Sequence, residues 1–314
     1  MPGPYAHITL LYELRSSGRF EKIFQPLSGC ADALEHYFSY CVLGAVSPDY
    51  PNIAVTDSTA SGWADAMHCT RACEMLASGV RHVRNVNGPT RDKQLAWLLG
   101  YASHVAADVT IHPIVQAKVG AYATNQRHHR ICEMHQDSFI YHRMSLGEIG
   151  ESDEYALAVA RCSNSDDRTA LDCDIVNLWE SMLEDVHTQR FATTQPDCES
   201  WHREFVARVD RCCGHDVRLF PLAGRIAENV GLEYPVYKNV GRQFVADQVV
   251  PSKKPYHLDY DDIFDQATDS VADVWSRVEQ SICSPGSVQT PQFGNWNLDT
   301  GRDGQGRLVF WEDS

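Results

Sequence analysis

In residues 100–116, GYASHVAADVTIHPIVQ, His104, Asp108 and His112 follow one another at intervals of four. That interval returns helical side chains to one slowly drifting stripe, so two imidazoles and a carboxylate share a face. Pro113 disfavours helical geometry at the residue before it, which puts His112 at a helix end or a kink, free to point at a different ion from the first two. Residues 123–144 repeat the pattern, with His129, Glu133 and Asp137 again four apart. One such stripe alone reads better as a polar helix edge. Two in succession, without clustered thiols, read as imidazole–carboxylate ligation of an ion such as Zn²⁺ with coordination positions left open for chemistry.

Further candidates precede these stripes. His7 lies near the start of a short apolar helix over residues 1–15. Asp49 follows Ser-Pro in GAVSPD, where it is either a turn former or a ligand presented from a helix end. Asp65 and His68 fall three apart within residues 58–78, and His68 is either a satisfied structural histidine or a ligand. His128, His135 and His142 lie on other faces of their helix, where at least two of the three read as solvated or hydrogen-bonded. Seven or eight carboxylate and imidazole groups exceed what one ion needs. A multinuclear centre follows, and adjacent cations suit phosphoester hydrolysis, since they generate hydroxide and stabilise both the attacking and the leaving oxygen.

The elements that must position these groups are helical. Apolar residues recur at intervals of three and four over 28–46, 58–78, 91–112, 123–144, 152–163, 168–190, 200–213 and 260–282. Residues 233–258 and 284–314, rich in Gly, Pro, Asn and aromatics, read as long loops. The expected fold is an all-α multi-helix bundle forming one domain over 1–314, with a ligand-bearing half (1–145) and a helical, loop-rich completion (146–314). Ten of the 14 histidines lie in the first 142 residues, which assigns the ligands to the N-terminal half.

Bulk composition narrows the partners. A net charge of −15 opposes binding to long polyanions, so nucleic acid is not the expected partner. No run of apolar residues is long enough to span a bilayer, and residues 1–22 lack the pattern of a secretory leader. The 11 cysteines, with no Cys-x-x-Cys pair, suggest reduced thiols and a cytoplasmic location.

The ordered set resembles the zinc-dependent phospholipase C family: His7, Asp49 after Gly-Ala-Val-Ser-Pro, Trp-Ala-Asp-x-x-His ending at His68, His104-x-x-x-Asp108, His112-Pro and His129-x-x-x-Glu133. That family shares an all-helical fold and a trinuclear zinc site with single-strand-specific nucleases of fungi and plants. The resemblance covers residues 5–145. It implies that Asp49, His68, His104 and Asp108 hold one zinc, that His112, His129 and Glu133 hold a second, and that His7 and Asp108 serve a third, with Asp108 bridging. It further implies in-line attack on phosphorus by a hydroxide between the first two zincs, with Asp49 orienting or deprotonating the attacking water. Two departures stand out. The gap from Asp108 to His112 is shorter than in secreted members. The N-terminal Trp whose amine completes their third site is missing, and the nitrogen of Pro2 is the available substitute. The expected cofactor is therefore two or three Zn²⁺ ions, and the expected substrate a phospholipid or small soluble phosphoester. Alternatives are a metalloprotein of this fold with biosynthetic or redox chemistry, and a non-catalytic metal-binding helical protein.

Overall fold

The computed structural model describes residues 2–26, 28–54, 57–212, 218–283 and 293–311. Its helices in chain order are α1 (Pro4–Ser16), α2 (Phe20–Ile23), α3 (Cys30–His36), α4 (Phe38–Val46), α5 (Ala60–Cys69), α6 (Ala72–Val83), α7 (Gly88–Val119), α8 (Tyr122–Arg143), α9 (Glu154–Ala160), α10 (Cys173–Val186), α11 (Thr188–Thr193), α12 (Cys198–Cys212), α13 (Pro221–Val230) and α14 (Tyr260–Cys283). A small antiparallel ribbon of β1 (Gln248–Val250) and β2 (Tyr256–Leu258) is the only sheet among the described residues. The fold is all-α, and no described helix is long and apolar enough to cross a membrane.

α7 is the axis of the molecule. Every residue from Gln94 to Val115 is buried, as expected of a helix that other elements cover on all sides. α4 and α14 lie along it. The α4–α7 crossing is close because both helices place glycine at the contact. A Cβ on Gly44 would strike the Trp97 carbonyl oxygen, and one on Gly100 the Cys41 carbonyl oxygen. Three tryptophans tie neighbours to the axis by indole N–H donation. Trp97 donates to Ser47 Oγ (3.0 Å), Trp275 of α14 to the Leu99 carbonyl (2.7 Å), and Trp311 of the C-terminal segment to the Thr110 carbonyl (2.8 Å).

Several predicted helices end differently from expectation. Residues 28–46 divide at Tyr37, which lies outside helical geometry between α3 and α4. Residues 58–78 divide at Thr70 (extended) and Arg71 (φ 58°), separating α5 from α6. Arg71 is fixed there by bonds to Glu74 and to the Val186 carbonyl. The alternative in which His112 ends its helix is corrected: α7 continues through Pro113 to Val119. Proline has no N–H, so the Val109 carbonyl four residues earlier loses its usual partner. The C-terminal segment covers this spot with Gly301, at φ 63°, whose backbone approaches the Val109 carbonyl and the Pro113 ring so closely that a Cβ would clash with both. Helix α13 was not expected from sequence, and the expected loop over 284–314 lies partly outside the described residues.

Gly100→Ala inserts a methyl group where two helix backbones touch. Its better helix propensity does not offset overpacking that costs about 1–3 kcal/mol. A lower urea midpoint for the metal-free variant is the expected result, and an unchanged midpoint would show that α4 can shift away at no cost.

Candidate metal centre

The eight candidate donors fall into three buried groups with mutually close ligand atoms. These are His7, His104 and Asp108; Asp49, His68 and His104; and His112, His129 and Glu133. α1 brings His7, the turn after α4 brings Asp49, α5 brings His68, α7 brings His104, Asp108 and His112, and α8 brings His129 and Glu133. A fourth group, Asp172, Cys173 and Asp174, is accounted for otherwise: Asp172 caps α10 by accepting the Asp174 N–H, and Lys93 pairs with both carboxylates.

Four backbone carbonyls decide which nitrogen each imidazole presents. His68 Nδ1 lies 2.7 Å from the Ala64 carbonyl oxygen, His104 Nδ1 2.8 Å from that of Ala45, and His112 Nδ1 2.6 Å from that of Leu298. His129 faces the Gly120 carbonyl oxygen with Nε2, at 2.6 Å. A carbonyl only accepts, so the nitrogen facing it carries the proton and the other presents a lone pair. His68 Nε2 and His104 Nε2 are consequently two lone pairs 3.1 Å apart. Unless a proton or a metal ion lies between them they repel. Two nitrogens on one tetrahedral zinc, each at about 2.0–2.1 Å, would stand about 3.3 Å apart.

The carboxylates complete the convergence. Asp49 Oδ1 is 3.6 Å from His68 Nε2, and Asp108 Oδ2 is 3.3 Å from His104 Nε2. Asp108 Oδ1 lies 3.3 Å from His7 Nε2, and the His7 ring stacks on His104 at 4.1 Å. Both ring nitrogens of His7, both oxygens of Asp108, Asp49 Oδ1, His112 Nε2 and His129 Nδ1 are buried without a hydrogen-bond partner among the described residues. Buried polar atoms are normally paired, so a cluster of orphans aimed at common points is what a cation-binding site looks like from its ligands. The donor set is all nitrogen and oxygen, which fits zinc with room for water or substrate.

Burial and neighbouring charges shift several of these groups. Burial lowers the His7 pKa, and His104 adds to the effect. Burial also works against charge on Asp108, yet His104 and His7 hold its carboxyl well below the usual range. At His104 burial pulls downward but Asp108 outweighs it and raises the pKa. Glu133 stays ionised despite burial because of cationic neighbours that include Arg130.

Residues from outside the predicted ligand half hold the donors in place. Leu298 binds His112 through its carbonyl and donates its N–H to the His68 carbonyl (3.3 Å), so the C-terminal segment straps α5 to α7. Asp137, third on the α8 stripe, belongs to none of the three groups. It accepts the Ala6 N–H (2.8 Å) and the Tyr234 hydroxyl (3.2 Å), and burial pushes its pKa to about 8. It anchors α1 beside His7. His135 and His142 serve packing, stacking on Phe244 at 4.5 Å and on Tyr237 at 3.6 Å, and His128 is exposed. Asp49 opens the 3₁₀ turn Tyr50–Ile53, which is fastened through Tyr50 to His202 of α12 (Oη to Nδ1, 2.8 Å), itself 3.0 Å from Ser163 Oγ.

Asp49 also lines a cavity of about 680 Å³ shared with Tyr122, Arg127 and Arg130 of α8, Arg225 of α13 and Asp65 of α5. Arg130 donates to Glu133 Oε2 (2.9 Å) and to the Tyr122 hydroxyl (3.0 Å). Of these arginines, Arg130 sits beside His129 in sequence and was open to notice on that ground. Arg225 and Leu298 carried no local signal.

The family model for zinc-dependent phospholipase C matches residues 6–189, more than half of the chain. The chain belongs to that family. No curated protein and no solved structure matches it. The family and the His/Asp/Glu groups together support a zinc-dependent hydrolase.

Burial lowers the His202 pKa to about 4. The unfolded chain protonates this ring near pH 6.5 whereas the folded chain does not, so stability is lost as pH falls from about 6.5 toward 4. With chelator present, the difference in unfolding free energy between pH 7 and pH 5 should be smaller for His202→Gln than for the unmodified chain, by about 1–2 kcal/mol. Equal pH dependence would mean that His202 is not kept neutral at this turn.

Proposed function

We propose that the chain hydrolyses phosphoesters, either phospholipids or small soluble esters, at a centre of two or three zinc ions. His7, Asp49, His68, His104, Asp108, His112, His129 and Glu133 would hold them; His104 belongs to two of the three close groups. The observation that carries this reading is the set of orphaned buried lone pairs converging beside a cavity to which Asp49 gives access.

Zinc bound there would supply Lewis acidity toward a phosphoryl oxygen and acidify a water for attack. The chain's own residues do the rest. The carbonyls of Ala45, Ala64, Gly120 and Leu298 keep four imidazoles in the tautomer that binds a cation. Asp49, the donor that lines the cavity, orients the attacking water and takes its proton. The water oxygen forms a bond to phosphorus as the phosphorus–alkoxide bond breaks, and the proton taken up by Asp49 passes to the departing oxygen, which leaves as the alcohol. Arg130 fixes Glu133 and adds positive charge near the point of attack. Burial opposes the Arg130 charge, but Glu133 beside it raises the pKa, so the guanidinium stays protonated.

Elemental analysis after zinc reconstitution should find about two to three equivalents per chain, and chelation should abolish hydrolysis of bis(p-nitrophenyl) phosphate. Asp49→Asn should retain most of the zinc and lose about 10²-fold or more in kcat, as expected for removal of a general base. Undiminished turnover by that variant, or a protein that takes up no zinc, would contradict the reading.

A further inference from the structure

Beside the centre, the cavity is basic on one side, and that side is under-satisfied. α8 contributes Arg127 and Arg130, and α13 contributes Arg225. Arg130 is committed to Glu133 and Tyr122. The other two are not so committed. Arg127 is exposed, donates one long bond to the Val230 carbonyl (3.5 Å), and has no carboxylate within 4.0 Å among the described residues. Arg225 reaches Glu228, one turn along its own helix, at 3.6 Å, and its Nε is buried without a partner. Two guanidinium groups with free donors thus face a space that also reaches Asp49.

Of the acidic residues lining the same cavity, Asp49 is one of the candidate metal donors. Asp57 accepts both the N–H (2.8 Å) and the hydroxyl (2.7 Å) of Thr59, and Asp65 is exposed at the surface of α5. On the Arg127 and Arg225 side of the cavity the unmet demand is therefore for acceptors with negative charge. Guanidinium groups meet that demand with paired, directional bonds to phosphate or carboxylate oxygens. The chain as a whole is acidic, at −15, so a local arginine wall is the feature that would draw an anion to this face rather than elsewhere.

Resting on the phosphoesterase reading above, we propose that Arg127 and Arg225 form a second anion subsite, so that the substrate carries a phosphate or carboxylate in addition to the phosphoester that is cleaved. A cationic headgroup would lack a partner on this wall. The alcohol side of the substrate would then be a polyol phosphate or a similarly charged group, supplied either as a soluble ester or as a lipid headgroup.

Calorimetry on the zinc-loaded chain tests this independently of turnover. The probes are inositol 1-phosphate, inositol 1,4-bisphosphate and phosphocholine. Inositol 1,4-bisphosphate should bind about tenfold or more tightly than inositol 1-phosphate, the effect of charge-assisted bonds to a second anion. In Arg127→Ala/Arg225→Ala that ratio should fall toward one, and Arg127→Lys/Arg225→Lys should restore part of it. Because each protein supplies its own ratio, a general loss of affinity does not imitate the result. Equal affinity for the two inositol phosphates, tightest binding of phosphocholine, or an unchanged ratio in the alanine variant would each overturn the proposal. A dihexanoyl lipid bearing the bisphosphate headgroup separates the two sources. Tighter binding than the soluble headgroup identifies a lipid, and equal binding a soluble ester. Cleavage of glycerophosphoinositol 4-phosphate, which carries the second anion, is followed separately, so that failure of hydrolysis with an intact affinity ratio falls on the phosphoesterase reading and not on the subsite.

Discussion

Lone pairs that face one another in the buried interior are the constraint on which the rest of this structure turns. His68 and His104 present theirs at 3.1 Å, and Asp108 adds two unpaired oxygens between His7 and His104. An unsatisfied buried polar atom costs about 1–3 kcal/mol, and several lie together here. A cation relieves the whole set at once. Metal binding and folding would accordingly be coupled in this chain, since the unfolded state offers no such cluster.

Holding mutually repulsive donors together requires rigid surroundings, and the fold supplies them from widely separated segments. α7 is buried throughout its middle and carries three of the donors on one helix. Paired glycines let α4 press its end, with the Ala45 carbonyl, directly against His104. Gly120, whose φ of 89° suits glycine, turns its carbonyl back to His129 at the end of the same helix. The C-terminal segment closes the arrangement by meeting α7 at the carbonyl that Pro113 leaves unpartnered and by orienting His112. Each anchor is a backbone carbonyl, and side-chain identity enters only through the glycines that let the chain pass so close.

This explains what was legible in the sequence. Helical periodicity and the ordered His/Asp/Glu positions are local signals, and they lead to the all-α class and to the family that matches residues 6–189. The eight donors were open to notice because their types and their spacing of four are themselves the chemistry. The breaks at Tyr37 and Arg71, the passage of α7 through Pro113, and helix α13 depend on tertiary contacts that no local sequence pattern carries. Leu298 acts through a carbonyl that every residue possesses, so nothing in its identity marks it. Arg225 lies far in sequence from the donors, and only folding brings α13 to the cavity beside α8. Assigning all functional residues to positions before 145 overlooked that the second half supplies anchors and one wall of the cavity.

The central claim is that these nitrogen and oxygen groups, and none of the chain's 11 cysteines, form the inner sphere of the metal. Zinc K-edge absorption spectroscopy of the reconstituted chain reads that sphere directly. The expected spectrum has nitrogen and oxygen scatterers at about 2.0–2.1 Å with the outer-shell pattern of imidazole, and no sulfur at about 2.3 Å. A sulfur shell, or a sphere without imidazole, would place the metal elsewhere in the molecule and contradict the account.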